Sequence, residues 1–337
     1  MTQTSTLTAV RLGTTGPSVS RIGLGAMGMS GMYGASDERE SVATIHAALD
    51  SGANLIDTGD FYGSGHNEML MAKALADRPR EDYLLSVKFG AMRGPGGTWG
   101  GVDTRPEAIR NFLAYSLERL GVDYIDIYRP ARLDPNVPIE ETVGAIADLI
   151  ESGYVRHIGL SEIGADTLRR ASAVHPIADL QIEYSIVSRG IESAILPTAR
   201  ELGVGITAYG VLSRGLLSDS IRRRTSFDAS DFRAHSPRFQ GENLNRNLAL
   251  VDALAEVAAR HDVTVAQLAI AWVLARGEDI VPIIGARKPE RWAESLAAVD
   301  VSLGAADLEQ IEAAVPVDAV AGDRYADAQM AMLDSER

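Results

Sequence analysis

The sequence contains no cysteine, which excludes disulfide bonds, thiolate metal sites and a thiol nucleophile. It has no run of about 18 apolar residues that would suit a membrane span, and its first residues lack the charged and apolar regions of a signal peptide. Its 32 basic residues are outnumbered by 46 acidic ones, which gives a formal charge of −14. Such an acidic chain suits neither nucleic acid nor an anionic membrane as a partner. We therefore expect a soluble, cytoplasmic protein.

Histidine is also scarce, with 6 in the chain. None of them forms a paired metal-ligand pattern such as H-E-x-x-H, so we expect no metal site. In contrast, 46% of the 337 residues are hydrophobic, which is enough for a large core. The length suits one barrel of about 250 residues with insertions, or two ordinary domains.

Strand-like and helical patterns alternate along the chain. Apolar, β-rich runs lie at 20–27, 53–58, 83–90, 123–129, 155–161, 179–185, 203–209 and 279–285. Helical patterns lie at 37–51, 66–77, 105–120, 139–152, 165–174, 190–202, 247–261, 264–277 and 288–299. This alternation predicts a single (β/α)₈ TIM barrel, with a doubly wound open sheet as the alternative. We expect one domain over 1–337, with a hairpin at 8–19, a core over about 8–314 and a tail at 315–337.

Three ionisable residues lie at or just after the ends of two successive strands. Asp57 ends the run Asn-Leu-Ile-Asp-Thr, Tyr62 follows in Gly-Asp-Phe-Tyr-Gly, and Lys88 lies in the next strand. The carboxyl ends of parallel strands meet at one mouth, where active sites form. A lysine beside a phenol favours the phenolate and lowers its pKa from about 10, and a carboxylate would orient the lysine. The sequence therefore predicts an acid that protonates a carbonyl oxygen while a hydride arrives from elsewhere.

Residues 23–28 match G-x-G-x-x-G after a strand, which is the dinucleotide fingerprint of open α/β folds. A true fingerprint opens a helix at its last glycines, because the pyrophosphate rests on the helix N-terminus. Here the next residues, Met-Ser-Gly-Met-Tyr-Gly, are too rich in glycine for a helix. We interpret the match as a strand followed by a loop over the barrel mouth.

These motifs together resemble the aldo-keto reductase family. The segment 54–63 with Asn67-Glu68 looks like the family signature, and segments 87–88, 159–162, 181–185 and 284–287 extend the likeness over about 8–314. The resemblance implies a TIM barrel that binds NADPH or NADP⁺ without a Rossmann domain and reduces aldehydes and ketones. It also implies that Tyr62 is the general acid and that Lys88 and Asp57 tune it.

The sequence departs from the family where a histidine completes the catalytic tetrad. The segment reads Tyr-Arg-Pro-Ala-Arg-Leu-Asp-Pro, so Ala131 occupies the histidine position. The adjacent Arg132 is not an automatic substitute, because neighbouring residues in a strand face opposite sides. His66, four residues after Tyr62, is the other candidate. A non-histidine residue here is similar to the pyridoxal-reductase branch of the family.

The resemblance also implies a cofactor site along the remaining strands. Tyr209 would stack on the nicotinamide, Ser161 and Gln181 would bond its carboxamide, and residues after strand seven would approach the pyrophosphate. Three cations after strand eight, in the segment Gly285–Arg291, suit the 2′-phosphate of NADPH. The alternative for these cations is a solvated helix start with Arg291 paired to Glu290 or Glu294. The expected cofactor-binding residues are Gly25, Met27, Asp57, Ser161, Gln181, Tyr209, Leu212, Arg214, Gly215, Gly285, Arg287, Arg291, Glu294 and Ser295.

Loops at a barrel mouth carry substrate choice. Tyr33, Trp99, Ala131 and Phe239 are the candidates for lining the substrate pocket. The predicted function is an NADPH-dependent reduction of a small carbonyl substrate. The alternatives are a pyridoxal reductase, a nucleotide-binding regulatory subunit with vestigial chemistry, and a lyase or isomerase that uses Lys88 as a Schiff base.

Overall fold

The computed structural model describes residues 7–218, 221, 227–228 and 231–337. The strands are β1 (Ala9–Arg11), β2 (Ser18–Ser20), β3 (Gly23–Gly25), β4 (Leu55–Gly59), β5 (Leu84–Phe89), β6 (Ala91–Arg93), β7 (Trp99–Val102), β8 (Ile125–Pro130), β9 (Val155–Ser161), β10 (Ile177–Glu183), β11 (Gly205–Tyr209) and β12 (Ile280–Gly285). Eight of them form a closed parallel barrel in the order β3–β4–β5–β8–β9–β10–β11–β12. The last strand pairs with the first, Gly285 opposite Gly25. This closure confirms the predicted TIM barrel and rules out the open sheet.

Helices cover the outside of the barrel. They are α1 (Glu38–Asp50), α2 (His66–Leu75), α3 (Pro106–Leu120), α4 (Ile139–Glu151), α5 (Ala165–Val174), α6 (Ile195–Leu202), α7 (Gly241–Arg260), α8 (Val265–Ala275), α9 (Pro289–Leu296), α10 (Ala305–Ala314) and the short α11 (Asp327–Met330). The long helix α7 begins at Gly241 rather than at 247, because its first turns are mostly polar and hide the apolar repeat. The helix predicted from 190 begins at Ile195, after a 3₁₀ turn.

The predicted hairpin closes the bottom of the barrel. Strands β1 and β2 pair in antiparallel fashion, and Leu12 and Val19 point into the barrel, where they are fully buried. They pack against four apolar side chains from three barrel strands: Leu55, Ile127, Val281 and Ile283. Gly13 makes the turn with φ +62°, and a β-carbon there would lie 2.6 Å from the carbonyl oxygen of Ala178. Only glycine combines this conformation with such a close approach.

The other end of the barrel carries the loops of the predicted mouth. The glycine-rich match at 23–28 leads into a 3₁₀ turn, Met27–Ser30, and the first α-helix begins only at Glu38, so it is not a Rossmann fingerprint. Strands β6 and β7 form a small antiparallel sheet above β5. Within the described residues, no single helix is long and apolar enough to cross a membrane. Helices α7 and α8 pass that test of length and composition only as a pair, which is bent by 81°.

Candidate active site

Asp57 and Lys88 form a buried ion pair at the barrel mouth. Lys88 Nζ donates to Asp57 Oδ1, and it also donates to Gln181 Oε1 at 3.0 Å. The Gln181 amide nitrogen in turn donates to Asp57 Oδ2 at 2.8 Å. Each side chain is therefore held by the other two. The amide of Gln181, which we expected to bind the nicotinamide carboxamide, is bonded here to Lys88 and Asp57.

A second buried ion pair lies next to this one and was missed by the sequence interpretation. Arg129 is fully buried and pairs with Asp179 at 2.8 Å. Its other terminal nitrogen donates to Ser86 Oγ at 2.9 Å, and Ser86 Oγ donates to Asp57 Oδ2 at 2.9 Å. Burial lowers the pKa of Lys88; the charge of Asp57 opposes this shift, and that of Arg129 adds to it. Arg129 thus acts electrostatically on Lys88 and holds Asp57 through Ser86.

Tyr62 lies in the turn that follows β4, with its ring above Lys88. Lys88 Nζ is 5.2 Å from the ring centroid, and Phe61 packs edge-on at 4.8 Å. Burial, followed by the charge of Asp57, raises the pKa of Tyr62 well above its usual value, and Arg132 opposes this shift. The pKa of Tyr62 is therefore not lowered as the sequence predicted, because burial raises it. Tyr62 holds its proton and is an acid at neutral pH.

Ala131 and Arg132 lie beyond the end of β8, which stops at Pro130. Ala131 is buried, and its backbone N–H donates to the Phe89 carbonyl at 2.8 Å. Because these residues are past the strand, the argument that places Arg132 on the opposite face does not apply. The Arg132 guanidinium instead lies over the ring of Tyr325, 5.9 Å from its centroid, within the mouth.

His66 is not placed to replace the tetrad histidine. It is exposed and begins helix α2. Its Nδ1 lies 2.9 Å from Ser30 Oγ, which ties two surface loops together. No described contact joins it to Tyr62.

The C-terminal tail returns to the mouth, which the sequence did not indicate. Arg324 pairs with Glu162 at 2.6 Å, and Tyr209 donates to the same carboxylate at 2.6 Å. The Tyr325 hydroxyl lies 2.9 Å from the Tyr209 hydroxyl, and Ser335 Oγ also donates to Glu162, at 2.7 Å. Although burial opposes it, the hydrogen bonds and charge of Arg324 lower the pKa of Glu162 to about 2. The tail is therefore bound to Tyr209, the residue that we expect to stack on the nicotinamide.

The loop after β11 has the features of an anion cradle. Ser213 and Arg214 have positive φ angles of 44° and 55°, which non-glycine residues adopt only where the surroundings impose them. Ser213 Oγ and Arg214 Nη1 are buried and have no hydrogen-bond partner among the residues that the structure describes. These two free donors fit a bound pyrophosphate, as expected for the segment Leu212–Gly215. The other terminal nitrogen of Arg214 donates to Glu183 at 3.1 Å.

The cations after β12 are only partly available. Arg291 pairs with Glu294 at 2.7 Å and Lys288 pairs with Glu40 at 3.0 Å, as the solvated helix start predicts. Arg287 donates to the carbonyl oxygens of Tyr33 and Ala35, and no described carboxylate pairs with it. Arg287 is therefore the best placed of the three for a phosphate. Ser295 is buried, and its hydroxyl donates to the Arg291 carbonyl.

The remaining predicted residues are spread around the mouth. Gly25 ends β3 between Asp57 and Gly285, and Met27, partly buried, begins the following turn. Tyr33 is partly buried, and the Arg233 guanidinium lies over its ring. Tyr33 also interacts electrostatically with Tyr62, as expected for a residue at the mouth. Trp99 is 45% exposed in β7. Phe239 is buried against Phe227 and belongs to the core.

Serine 161 lies opposite Gln181 in the neighbouring strand and is buried. The strands that carry the acid machinery are β4, β5 and β8, which are neighbours in the barrel. The residues expected to bind the cofactor follow β9 to β12 and β3, which form the rest of the circle. The mouth thus has an acid side and a cofactor side, and their boundary lies beside Asp57. Such an arrangement suits transfer of a proton and a hydride to one carbonyl group.

Comparisons with known proteins agree with this geometry. The model of the Aldo/keto reductase family matches residues 21–316. A probable aldo-keto reductase 1 of Glycine max is 44% identical over 318 residues, which are 94% of this chain and 91% of that protein. The glycerol dehydrogenase of Gluconobacter oxydans superposes with a TM-score of 0.83 at 32% identity, covering 92% of this chain and 96% of that one. The holo form of an aldo-keto reductase of Bacillus halodurans gives 0.77 at 26%, covering 92% and 97%.

Proposed function

Since this chain belongs to the aldo/keto reductase family, whose members are oxidoreductases acting on carbonyl or CH–OH groups, we propose that it reduces an aldehyde or a ketone with NADPH. Tyr62 is the general acid in this proposal. The observation that carries it is the position of Tyr62 over Lys88, which is itself bonded to Asp57 and Gln181. We further propose that residues 1–337 form one domain and that the protein is cytoplasmic.

The raised pKa of Tyr62 supports its role as a proton donor. A phenol that keeps its proton at neutral pH is ready to protonate an alkoxide as that charge develops. The phenolate left behind would lie beside the ammonium of Lys88, whose Nζ is 5.2 Å from the ring centroid. Asp57 keeps Lys88 charged and fixed despite its burial. The geometry thus favours loss of the tyrosine proton only when a base of matching strength forms beside it.

The described residues also offer a site for the cofactor. When bound, the nicotinamide supplies the hydride that the carbonyl carbon receives. Tyr209 and Ser161 would hold the nicotinamide, while Ser213 Oγ and Arg214 Nη1 would bind the pyrophosphate with donors that are now unpaired. Arg287 would bind the 2′-phosphate of NADPH, a group that NADH lacks.

The three alternative functions depend on Lys88 or on Ala131. A Schiff-base enzyme needs a free amine, whereas the amine of Lys88 donates to Asp57 and Gln181. A pyridoxal-type substrate or a regulatory role is favoured by Ala131, which removes a donor that the family generally has. A screen with aldehydes, ketones and pyridoxal at high enzyme concentration, followed by NADPH absorbance, separates these functions.

The decisive variant is Tyr62→Phe, with Tyr115→Phe as a matched control on the exposed surface of α3. Phenylalanine keeps the ring and removes the proton. Turnover should be lost in Tyr62→Phe, while NADPH binding, followed by fluorescence, stays as in the parent. Near-parental turnover under conditions where chemistry is limiting would overturn the assignment of Tyr62.

A further inference from the structure

Most of the cations at the mouth are paired with a carboxylate. The paired groups are Lys88 with Asp57, Arg214 and Arg238 with Glu183, Arg233 with Asp231, and Arg324 with Glu162. These side chains are buried or nearly so. Pairing is what burial of a charge requires, because an isolated ion in an apolar surrounding is strongly unfavourable.

Arg132 differs from these paired cations. Its described hydrogen bond runs from Nη1 to the carbonyl oxygen of Ala131, the preceding residue, at 2.7 Å. No carboxylate of the described residues lies within ion-pair distance of it. The charge of Glu162 acts on Arg132, but the Glu162 oxygens already accept bonds from Arg324, Tyr209 and Ser335. Arg132 therefore brings to the mouth a positive charge that has no ion-pair partner of its own among the described residues.

The position of Arg132 identifies what can balance it. It follows β8, which lies next to β5 with Lys88, and β5 lies next to β4, which leads to Tyr62. The cofactor-binding residues follow the other strands, so the pyrophosphate and the 2′-phosphate have their own cations across the barrel. The Arg132 guanidinium lies over Tyr325 within the mouth, and its charge acts on Tyr62, the proposed proton donor to the carbonyl oxygen. An anion that reaches Arg132 therefore belongs to the substrate.

From these observations, and resting on the proposed reductase function, we propose that Arg132 binds an anionic group of the substrate, so that the preferred substrates are aldehydes or ketones with a carboxylate or phosphate substituent. Arginine is suited to this because its planar fork makes two parallel hydrogen bonds to such a group. Ala131, which precedes Arg132, supports the proposal, since alanine has no polar group that could compete with Arg132 for such a substituent.

A different role for Arg132 is to donate a hydrogen bond to the carbonyl oxygen itself, in place of the missing histidine. A neutral carbonyl would leave the arginine charge unbalanced until the transition state, whereas a permanent anion balances it from the moment of binding. The two roles predict different responses to one substitution. A donor to the carbonyl affects every substrate, and an anion-binding residue affects only the charged ones.

The experiment compares matched substrates with NADPH. The carboxylate arm is 4-formylbenzoate against its methyl ester, and the phosphate arm is glyceraldehyde 3-phosphate against glyceraldehyde. The variants are Arg132→Met, which removes the charge, and Arg132→Lys, which keeps the charge without the fork. Arg110→Met is the control. Arg110 lies on the exposed face of α3, and among the described residues its ion pair is with Asp148. Circular dichroism and NADPH binding show that each variant is folded and loaded.

The parent should prefer at least one anionic substrate over its neutral partner. Arg132→Met should reduce kcat/KM for that anion by about 10- to 100-fold, mainly through KM, because a charged hydrogen bond is lost. The neutral partner should lose much less than the anion, because Arg132 acts on it only through Tyr62. Arg132→Lys should restore part of the loss for the anion, and the arm that responds identifies carboxylate or phosphate. Equal losses for charged and neutral substrates would overturn the proposal and assign Arg132 to the carbonyl oxygen. No preference for either anion in the parent would also overturn it. Both results leave the reductase function intact, because each is measured as turnover with NADPH; only a screen in which no aldehyde or ketone is reduced removes that function. If Arg132→Met does not fold, the comparison of Arg132→Lys with the parent decides. Loss of the planar guanidinium should weaken the binding of the anionic substrates alone.

Discussion

The hydroxyl oxygens of Tyr209 and Tyr325 lie 2.9 Å apart, which joins the end of a barrel strand to the C-terminal tail. Three arginines surround the ring of Tyr325, with Arg214 4.5 Å from its centroid and Arg324 and Arg132 slightly farther away. The tail therefore forms part of the mouth. Its charges and its aromatic ring face the residues that we assign to cofactor and substrate.

The ion pair between Arg324 and Glu162 should dominate the attachment of this tail. Arg324→Gln leaves Glu162 buried without its main cation, so we expect a loss of about 3–5 kcal/mol in the free energy of unfolding. The double variant Arg324→Gln with Glu162→Gln should lose less than Arg324→Gln alone. Urea denaturation measures both. Arg110→Gln, which breaks an exposed pair with Asp148, should cost under about 1 kcal/mol. A double variant less stable than Arg324→Gln would contradict this account.

Cofactor choice should depend on Arg287. Arg287→Ala should weaken NADPH binding by about 1.5–3 kcal/mol, the range for a charged hydrogen bond, and leave NADH binding nearly unchanged. Fluorescence titration with both cofactors tests this. Arg291→Ala is the matched control and should have a smaller effect, because Arg291 is paired with Glu294. Equal affinity of the parent for NADPH and NADH would remove the 2′-phosphate assignment.

Restoring the family histidine should separate two classes of substrate. Ala131→His places a hydrogen-bond donor beside Tyr62, so turnover of neutral aldehydes should rise, by up to roughly 10²-fold if the donor is well positioned. Turnover of substrates that use the space beside Ala131 should fall. Steady-state kinetics with the matched substrate pairs measures both changes. If a folded Ala131→His protein with normal NADPH binding behaves as the parent for all substrates, Ala131 does not mark a gap in the tetrad.

Stability should depend on pH through Asp60. Burial, with the charge of Glu68, raises its pKa to about 7, although Arg119 opposes the shift. The folded protein therefore holds a proton between about pH 4 and 7 that the unfolded chain releases, so stability falls as the pH rises through this window. Asp60→Asn removes this loss and should stabilise the protein at pH 8 by about 1–3 kcal/mol, with little effect at pH 4. Urea denaturation at both pH values tests the difference. An equal effect of Asp60→Asn at pH 4 and pH 8 would exclude the protonation mechanism.

The sequence predicted those features that depend on local patterns. Alternating strand and helix patterns located the eight barrel strands within a few residues, and the position of Asp57 and Lys88 at strand ends indicated the mouth. The sequence did not predict that the Arg132 side chain lies within the mouth. Alternation of side chains along a strand holds only while the strand continues, and β8 ends two residues before Arg132. The direction of the pKa shift of Tyr62 was also missed. It depends on burial, which a sequence motif does not report.

The contacts of the tail were missed for a different reason. Arg324 and Glu162 are far apart in the chain, and neither lies in an apolar repeat that would reveal their meeting. Glu162 has φ +54°, an unusual conformation for a glutamate, and only the surrounding structure explains it. The ion pair of Arg129 with Asp179 was also missed, since a charged residue within an apolar strand gives no indication of its partner.

The pairing of β3 with β12 also sets the order in which this protein matures during biosynthesis. β3 has no partner on that side until residues 280–285 have emerged from the ribosome. The packing of Leu12 and Val19 at the bottom of the barrel is likewise incomplete until Val281 and Ile283 have been synthesised. The tail residues that bond Glu162 and Tyr209 are translated later still. A nascent chain therefore exposes an unpaired strand edge until β12 has emerged, and protection by chaperones matters most during that interval.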